Sequence, residues 1–244
     1  MPTFFSYLSS TIYYTFFCGA LLVFHPIQVL CFHLFGINAQ KKTVDVLNWT
    51  LLLLLKMIGT SIKFNNTHSF PKDRTLVFVS NHQSTYDIPP LIWHLRKYAP
   101  KFVAKKELGK GLPSISYHLR KGGNVLINRK NSTAALNAIK EFSRNVYNNR
   151  WSVVIFPEGT RSRNGVTKNF HQNGLQRLLS EIPDALIVPI SINNSWKLAK
   201  WNYFPIPLGV NMKIDIHCPI EPNHSSIKQT LEEVEQIIKA GVKN

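Results

Sequence analysis

Apolar positions fall into two regimes along the chain. From Phe4 to Ile37 they run almost without a break, interrupted only by His25, His33 and small polar residues. That stretch exceeds the roughly 20 residues a helix needs to cross a hydrocarbon layer, and Pro26 is expected to kink it or split it in two. It lacks the basic start of a secretory signal and is too long for one. A second apolar block runs from Val44 to Ile62 around the continuous run Leu51 to Leu55. As a helix it would carry Asn48, Lys56 and Lys63 on one narrow stripe. Such a helix suits the plane of a bilayer surface, with Lys56 reaching for headgroups.

Past Ser69 the regime changes to short β-branched runs alternating with helical patterns. Strands are expected at Thr75 to Ser80, Lys101 to Ala104, Asn124 to Asn128, Trp151 to Phe156 and Leu186 to Ile192. Met212 to His217 alternates as a strand near an edge does. Helices are expected at Ile88 to Lys97, Thr133 to Tyr147, Phe170 to Glu181 and Ser225 to Ala240. The alternation predicts an α/β domain with a mixed, largely parallel sheet flanked by helices. The chain thus divides into a membrane-associated helical segment, 1–66, carrying an apolar helix pair embedded in or on the membrane, and an α/β domain, 67–244.

Charge sharpens this division. No Asp, Glu, Lys or Arg precedes Lys41, yet Lys plus Arg total 29 against 13 Asp plus Glu, a formal +16. Such a surplus points to anionic partners: phosphate groups, an acidic membrane face or nucleic acid. Nucleic acid fits poorly, because many aromatics sit in the uncharged N-terminal stretch rather than among the basic residues. Lys41 and Lys42 lie between the two apolar blocks, and a hairpin crossing would place them outside, against the positive-inside tendency. Either one crossing or two helices within one leaflet is expected, with the α/β domain on the cytoplasmic side. The three cysteines, Cys18, Cys31 and Cys218, are widely spaced. They read as buried thiols of a reducing compartment rather than as a disulfide framework. The nine histidines show no clustering with Cys or carboxylates, so no metal site is expected.

Candidate chemistry sits on polar loops that follow strands, where open α/β sheets gather their active residues. The first is Asn81-His82-Gln83-Ser84-Thr85-Tyr86-Asp87. On one ideal helix His82 and Asp87 would lie about 140° out of phase. They meet if His82 stays in the loop and Ser84 or Thr85 caps the helix carrying Asp87. The carboxylate would then hold one ring nitrogen and leave the other as a base. The second loop, Phe156 to Ser162, offers Gly159 for a close backbone approach and Arg161 as a planar fork for phosphate oxygens. Lys105, Lys106, Arg129 and Lys130 end two further strands and would make a basic rim.

Four motifs in order resemble the glycerolipid acyltransferase family, its bacterial 1-acyl-sn-glycerol-3-phosphate acyltransferases in particular. They are the Asn-His-x4-Asp motif at residues 81–87, a glycine-to-arginine motif from Gly123 to Arg129, Phe-Pro-Glu-Gly-Thr-Arg from Phe156 to Arg161, and the apolar-proline motif Val188-Pro189-Ile190. The resemblance spans residues 81–190, and the N-terminal apolar segments are similar to the family's two-helix membrane motif. The chain departs from the family pattern at Asn128, where Asp is common. It departs again at Phe170 to Gly174, which lacks the usual lysines.

The resemblance implies transfer of a fatty acyl group from acyl-CoA or acyl carrier protein to the sn-2 hydroxyl of 1-acyl-sn-glycerol 3-phosphate (lysophosphatidic acid), forming phosphatidic acid in phospholipid biosynthesis. Transfer to another lysolipid, or thioester hydrolysis, is the alternative. His82 would be the base and Asp87 its partner. Lys105, Arg129 and Arg161 would grip the acceptor phosphate; Glu158 would organise the acceptor loop or bind the glycerol part, with Gly159 and Thr160 beside it in the substrate-binding loop. No acyl-enzyme, metal or cofactor beyond the donor is expected. Anionic membrane lipid is the expected partner, and the cytoplasmic face of a bacterial inner membrane the expected place.

Overall fold

Among the described residues, 2–223 and 225–243, the computed structural model forms a seven-stranded sheet. Its strands are β1 (Ser61–Asn65), β2 (Leu76–Ser80), β3 (Pro100–Lys105), β4 (Val125–Ile127), β5 (Ser152–Ile155), β6 (Leu186–Asn193) and β7 (Asn211–Ile216). Their order is β1-β7-β6-β2-β5-β3-β4. All neighbours run parallel except β6 and β7, which are antiparallel. The C-terminal ends of β6, β2, β5, β3 and β4 therefore share one rim.

The side-chain period of two sorts the central strands between two cores. Val77, Val79, Val153, Ile155 and Ile187 face α4 (Ser132–Asn148), α5 (Gln172–Leu179) and α6 (Ile227–Gly241). Leu76, Phe78, Val154, Leu186, Val188 and Ile190 face α2 (Ile88–Leu95) and Val44 of α1 (Phe4–Met57). Burial on both faces explains why β2, β5 and β6 read as unbroken apolar runs. Every strand and helix expected past Ser69 is present, with ends shifted by a few residues at most.

The N-terminal region departs from expectation in several places. Helical backbone runs through Pro26, and the break falls at Gly36, where φ 76 and ψ −170 suit glycine alone. Two limbs result, one on each side of Gly36. The second limb stops at Met57 rather than Ile62, because Gly59 takes a left-handed φ of 75 and turns the chain into β1. Residues 61–65 pair in parallel with β7, so the expected division at residue 66 falls after a strand of the sheet. The Asn48–Lys56–Lys63 stripe does not exist as a helix face: Asn48 is buried, its amide donating to the Val44 carbonyl at 2.8 Å, Lys56 is exposed, and Lys63 lies on β1. A short helix absent from the expectations, α3 (Ile115–Lys121), packs against α1.

Helix α1 is long and apolar enough to cross a membrane, and most of its strongest apolar window is uncovered by protein. Phe5, Leu8, Ile12, Phe16, Leu22, Leu30 and Leu34 are exposed along its first limb, and Val46, Trp49, Leu53 and Met57 along its second. The opposite faces join a third core in which Tyr13, Leu21, Leu47, Leu51 and Leu55 meet Tyr86, Leu198, Ile206 and Val210 of the α/β domain. The cysteines are not buried as expected: Cys18 and Cys218 are exposed and Cys31 is half-buried. Cys18 lies on α1, a helix most of whose apolar surface has no protein to bury against.

Candidate active site

Three adjacent strands, β6, β2 and β5, deliver the polar groups of one site to their common rim. Past β2, Asn81 turns its amide back onto β6, donating to the Ile192 carbonyl at 2.9 Å and accepting from the Ile192 N–H at 2.7 Å. This imitates a ladder pair at the point where β2 ends, and it fixes the start of the loop. His82 follows in the loop. Ser84 then caps a one-turn 3₁₀ helix, Thr85–Asp87, with its hydroxyl accepting from the Tyr86 N–H at 3.1 Å. That local arrangement brings together two residues that a continuous helix would separate.

Asp87 is fully buried, and His82 retains 18% side-chain exposure. The imidazole Nδ1 lies 2.7 Å from Asp87 Oδ2. A carboxylate only accepts, so Nδ1 carries the proton and Nε2 is the basic nitrogen. Nε2 has no hydrogen-bond partner among the described residues. The same Oδ2 accepts from the N–H groups of Gln83 at 2.7 Å and Ser84 at 3.1 Å. The Ser195 hydroxyl, just past the end of β6, donates to Oδ1. These donors offset the loss of water around a buried charge. Phe156 stacks on the imidazole with centroids 4.3 Å apart and planes 23° from parallel, which closes one face of the ring.

Glu158 stands behind the histidine rather than in the open cleft. One carboxylate oxygen accepts from the His82 N–H at 2.7 Å and the other from the Lys168 N–H at 2.8 Å. The Ser162 N–H adds a bond of 2.8 Å to the His82 carbonyl. Glu158 is only 1% exposed. Burial raises its pKa above the ordinary carboxyl value, and the two backbone donors oppose the shift. It therefore ties the β2 and β5 loops together. Gly159, with φ 66, makes the turn that lets it do so, and Thr160 is exposed at the tip.

Arg161 turns toward β6. Its guanidinium donates to the Tyr203 hydroxyl and stands 5.7 Å from the centre of that ring. Together with Gln83, Arg163, Lys200, Asn202 and Tyr203 it lines a cleft of about 360 Å³. Three cations face one concavity beside the histidine loop, an arrangement of charge that suits a phosphate-sized anion. Lys105 and Arg129 are exposed near the ends of β3 and β4, one and two strands beyond β5 on the other side of the site. Among the described residues neither forms a hydrogen bond or ion pair with Arg161.

Tyr203, Arg163, Lys200 and Ser195 escaped the sequence reading. The signal for them is weak: Asn194, Ser195 and the loop after it follow the apolar-proline motif on the strand next to β2. Among the described residues, no group of three or more His, Cys, Asp or Glu side chains stands together.

A mostly parallel sheet thus carries a His–Asp pair at its strand ends, with the Asp fully buried, beside a cationic cleft, which is chemistry suited to activating a hydroxyl next to a bound anion. The Acyltransferase family model matches residues 61–193, more than half of the chain, and the chain belongs to that family. It is 29% identical over 165 residues to a 1-acyl-sn-glycerol-3-phosphate acyltransferase of Limnanthes douglasii, covering 65% of this chain and 55% of that protein. It is 26% identical over 154 residues to the alpha form of Homo sapiens, covering 63% and 53%. Against the Haemophilus influenzae protein of the same description it is 24% identical over 187 residues, covering 71% and 77%. The chain thus spans about half the length of the plant and animal relatives it matches. The crystal structure of the Thermotoga maritima 1-acyl-sn-glycerophosphate acyltransferase PlsC shares the fold, with a TM-score of 0.75 at 23% identity over 97% of this chain and 94% of that one.

Proposed function

We propose that the protein transfers a fatty acyl group from a thioester, acyl-CoA or acyl carrier protein, to the sn-2 hydroxyl of 1-acyl-sn-glycerol 3-phosphate, giving phosphatidic acid. The observation that carries this reading is the 2.7 Å contact between His82 Nδ1 and Asp87 Oδ2 on the rim that also holds the Arg161 cleft. With Nδ1 protonated, Nε2 takes the hydroxyl proton as the oxygen attacks the thioester carbonyl. Asp87 stabilises the imidazolium that forms, and the proton then passes to the departing thiolate. Positioned base catalysis supplies about 10²–10⁴-fold of rate. No acyl-enzyme is needed, since the acceptor oxygen is itself the nucleophile, and no cofactor beyond the thioester enters the scheme.

Arg161, supported by Arg163 and Lys200, takes the acceptor phosphate. Lys105 and Arg129 extend the basic rim and draw in anionic substrate. Helix α1 lies in or on the cytoplasmic leaflet of a bacterial inner membrane. It lets the acceptor reach the rim without its chain entering water, where each exposed CH₂ costs about 0.8 kcal/mol.

The test is acyl transfer by the purified protein in lipid vesicles, with acceptors that keep or lack the phosphate and with both donor types. His82→Ala should abolish transfer. Arg161→Ala should raise KM for the phosphate-bearing acceptor by about tenfold or more, the worth of a charge-assisted pair, and change little for acceptors without it. Equal wild-type rates on both acceptors refute the proposed acceptor. Release of free fatty acid at the transfer rate, without acceptor, makes the protein a thioesterase.

A further inference from the structure

Resting on that reading, we propose that Ser195 is a positioning residue of the reaction: it holds the Asp87 carboxylate in the one rotation that presents Oδ2 to the histidine. Rotation about the Cβ–Cγ bond carries both carboxylate oxygens with it, so a donor on the second oxygen adds to the bonds on the first in holding the group still. Asp87 has such a donor. His82 Nδ1 and the N–H groups of Gln83 and Ser84 converge on Oδ2, while among the described residues the Ser195 hydroxyl alone reaches Oδ1. Asp87 and Ser195 are both fully buried. Bulk solvent does not reach this bond.

The placement of Ser195 is built with some care. It comes from the far strand of the pair, 108 positions along the chain from Asp87. The Asn81 amide locks the end of β2 to β6 at Ile192, through bonds of 2.7 and 2.9 Å. Asn194 then takes a left-handed φ of 68, and its side chain donates to the Asn211 carbonyl at 2.8 Å. This turn directs the next side chain back toward β2. Asparagine tolerates that backbone region better than most residues do. Ser195 also starts the 3₁₀ turn Ser195–Ala199, which leads into Lys200 and Tyr203 of the cationic cleft. One segment therefore sets both the base pair and the anion receptor.

The experiment compares Ser195→Ala, Ser195→Thr and Ser195→Cys with the wild type. In acyl-transfer kinetics, Ser195→Ala should lower kcat about ten- to hundredfold, as expected for a lost bond to a buried charged group, while KM for the acceptor stays within about twofold. Threonine keeps the donating hydroxyl and should retain most of kcat. Cysteine, a weak donor of similar size, should behave like alanine, so the Thr and Cys variants decide the matter if Ser195→Ala does not fold. The second readout needs no substrate. ¹⁵N NMR of the His82 ring, assigned with His82→Gln, should show the Nδ1–H tautomer in wild type and Ser195→Thr, and a mixture of tautomers in Ser195→Ala and Ser195→Cys. Unchanged tautomer and kcat in the alanine variant, or threonine as slow as cysteine, would overturn the proposal. A wild type without acyl transfer refutes the function instead, and the ring tautomer still decides whether Ser195 acts through Asp87.

Discussion

Replacing Glu158 by glutamine separates a strap from a substrate contact. The carboxylate is 1% exposed and spans the His82 and Lys168 N–H groups at 2.7 and 2.8 Å. Glutamine keeps one acceptor oxygen and sets an NH₂ against the other N–H. One buried backbone donor then loses its partner, at about 1–3 kcal/mol. Against this, the neutral amide escapes the desolvation that raises the Glu158 pKa. The net expectation at neutral pH is a loss of about 1–2 kcal/mol, or about 2–8 °C in Tm for a chain of this size. The pH dependence has a definite sign. The native state holds the Glu158 proton more tightly than the unfolded chain does. The stability it adds is complete below the unfolded carboxyl value and is lost as pH rises through the higher native value. Glutamine does not titrate, so the deficit of Glu158→Gln should be largest at acid pH, below the ordinary carboxyl value, and shrink as pH rises through the higher native one. With the His82 backbone no longer strapped, kcat should fall about tenfold or more, because displacements near 1 Å are costly at a reacting centre. KM should change little. The assay is thermal unfolding across that pH range beside steady-state kinetics in vesicles. An unchanged Tm with a tenfold rise in acceptor KM would refute the strap and return Glu158 to the substrate.

Two further substitutions probe the surroundings. Lys101 is 3% exposed, its Nζ lies 4.3 Å over the Trp151 ring, and its pKa is pushed down to about 8 by burial first and Lys41 second, with Asp45 opposing. The native state thus binds this proton less tightly than the unfolded chain, and the charge costs up to about 3 kcal/mol at neutral pH. After about 0.5–2 kcal/mol for the lost cation–π contact, Lys101→Met should raise Tm at pH 7, with the gain fading as pH climbs past 8 toward 10.5; a variant less stable at pH 7 contradicts this. The Tyr14 hydroxyl donates to the Tyr203 carbonyl at 2.7 Å and stands 3.2 Å from the Tyr86 hydroxyl. Tyr14→Phe should cost about 1 kcal/mol and raise acceptor KM severalfold with kcat kept, because Tyr203 anchors Arg161; equal KM values would show that α1 does not steady the cleft.

What the sequence discloses depends on how local its cause is. Strands β2, β5 and β6 are visible because both of their faces are buried, so nearly every position is apolar. Strand β1 is an edge strand with the half-exposed sequence Ser-Ile-Lys-Phe-Asn, and it abuts an apolar helix that masks its start. Helix α3 owes its place to tertiary bonds: the Ser114 hydroxyl donates to the Leu21 carbonyl at 2.8 Å, and the Ser114 N–H donates to His25 Nδ1 at 3.1 Å. No short-range pattern announces such a helix. The site divides in the same way. His82 and Asp87 are five positions apart and meet through a local cap, so the loop alone contains their geometry. The bond from Ser195 exists only because β6 lies beside β2, and the partner of Arg161 belongs to a loop reached through the same neighbour. Strand order is a property of the whole chain, and the spacing of polar residues does not encode it.

That dependence on distant partners extends to the apolar helix α1, which is packed into the α/β domain rather than hung beside it. The Ser10 hydroxyl accepts from the Ile206 N–H at 2.7 Å, and Tyr14 reaches Tyr203 and Tyr86. Tyr86 is the residue before Asp87, and Tyr203 holds the guanidinium of Arg161. Leu198 and Ile206 are fully buried and Val210 nearly so, in a core that α1 completes. Removing the helix would open that core, at about 1.5–3 kcal/mol for each large side chain returned to water. It would also strip hydrogen-bond partners from the segment that positions both Ser195 and the cleft. The apolar outer face of α1 and the polar rim are thus two sides of one packed unit.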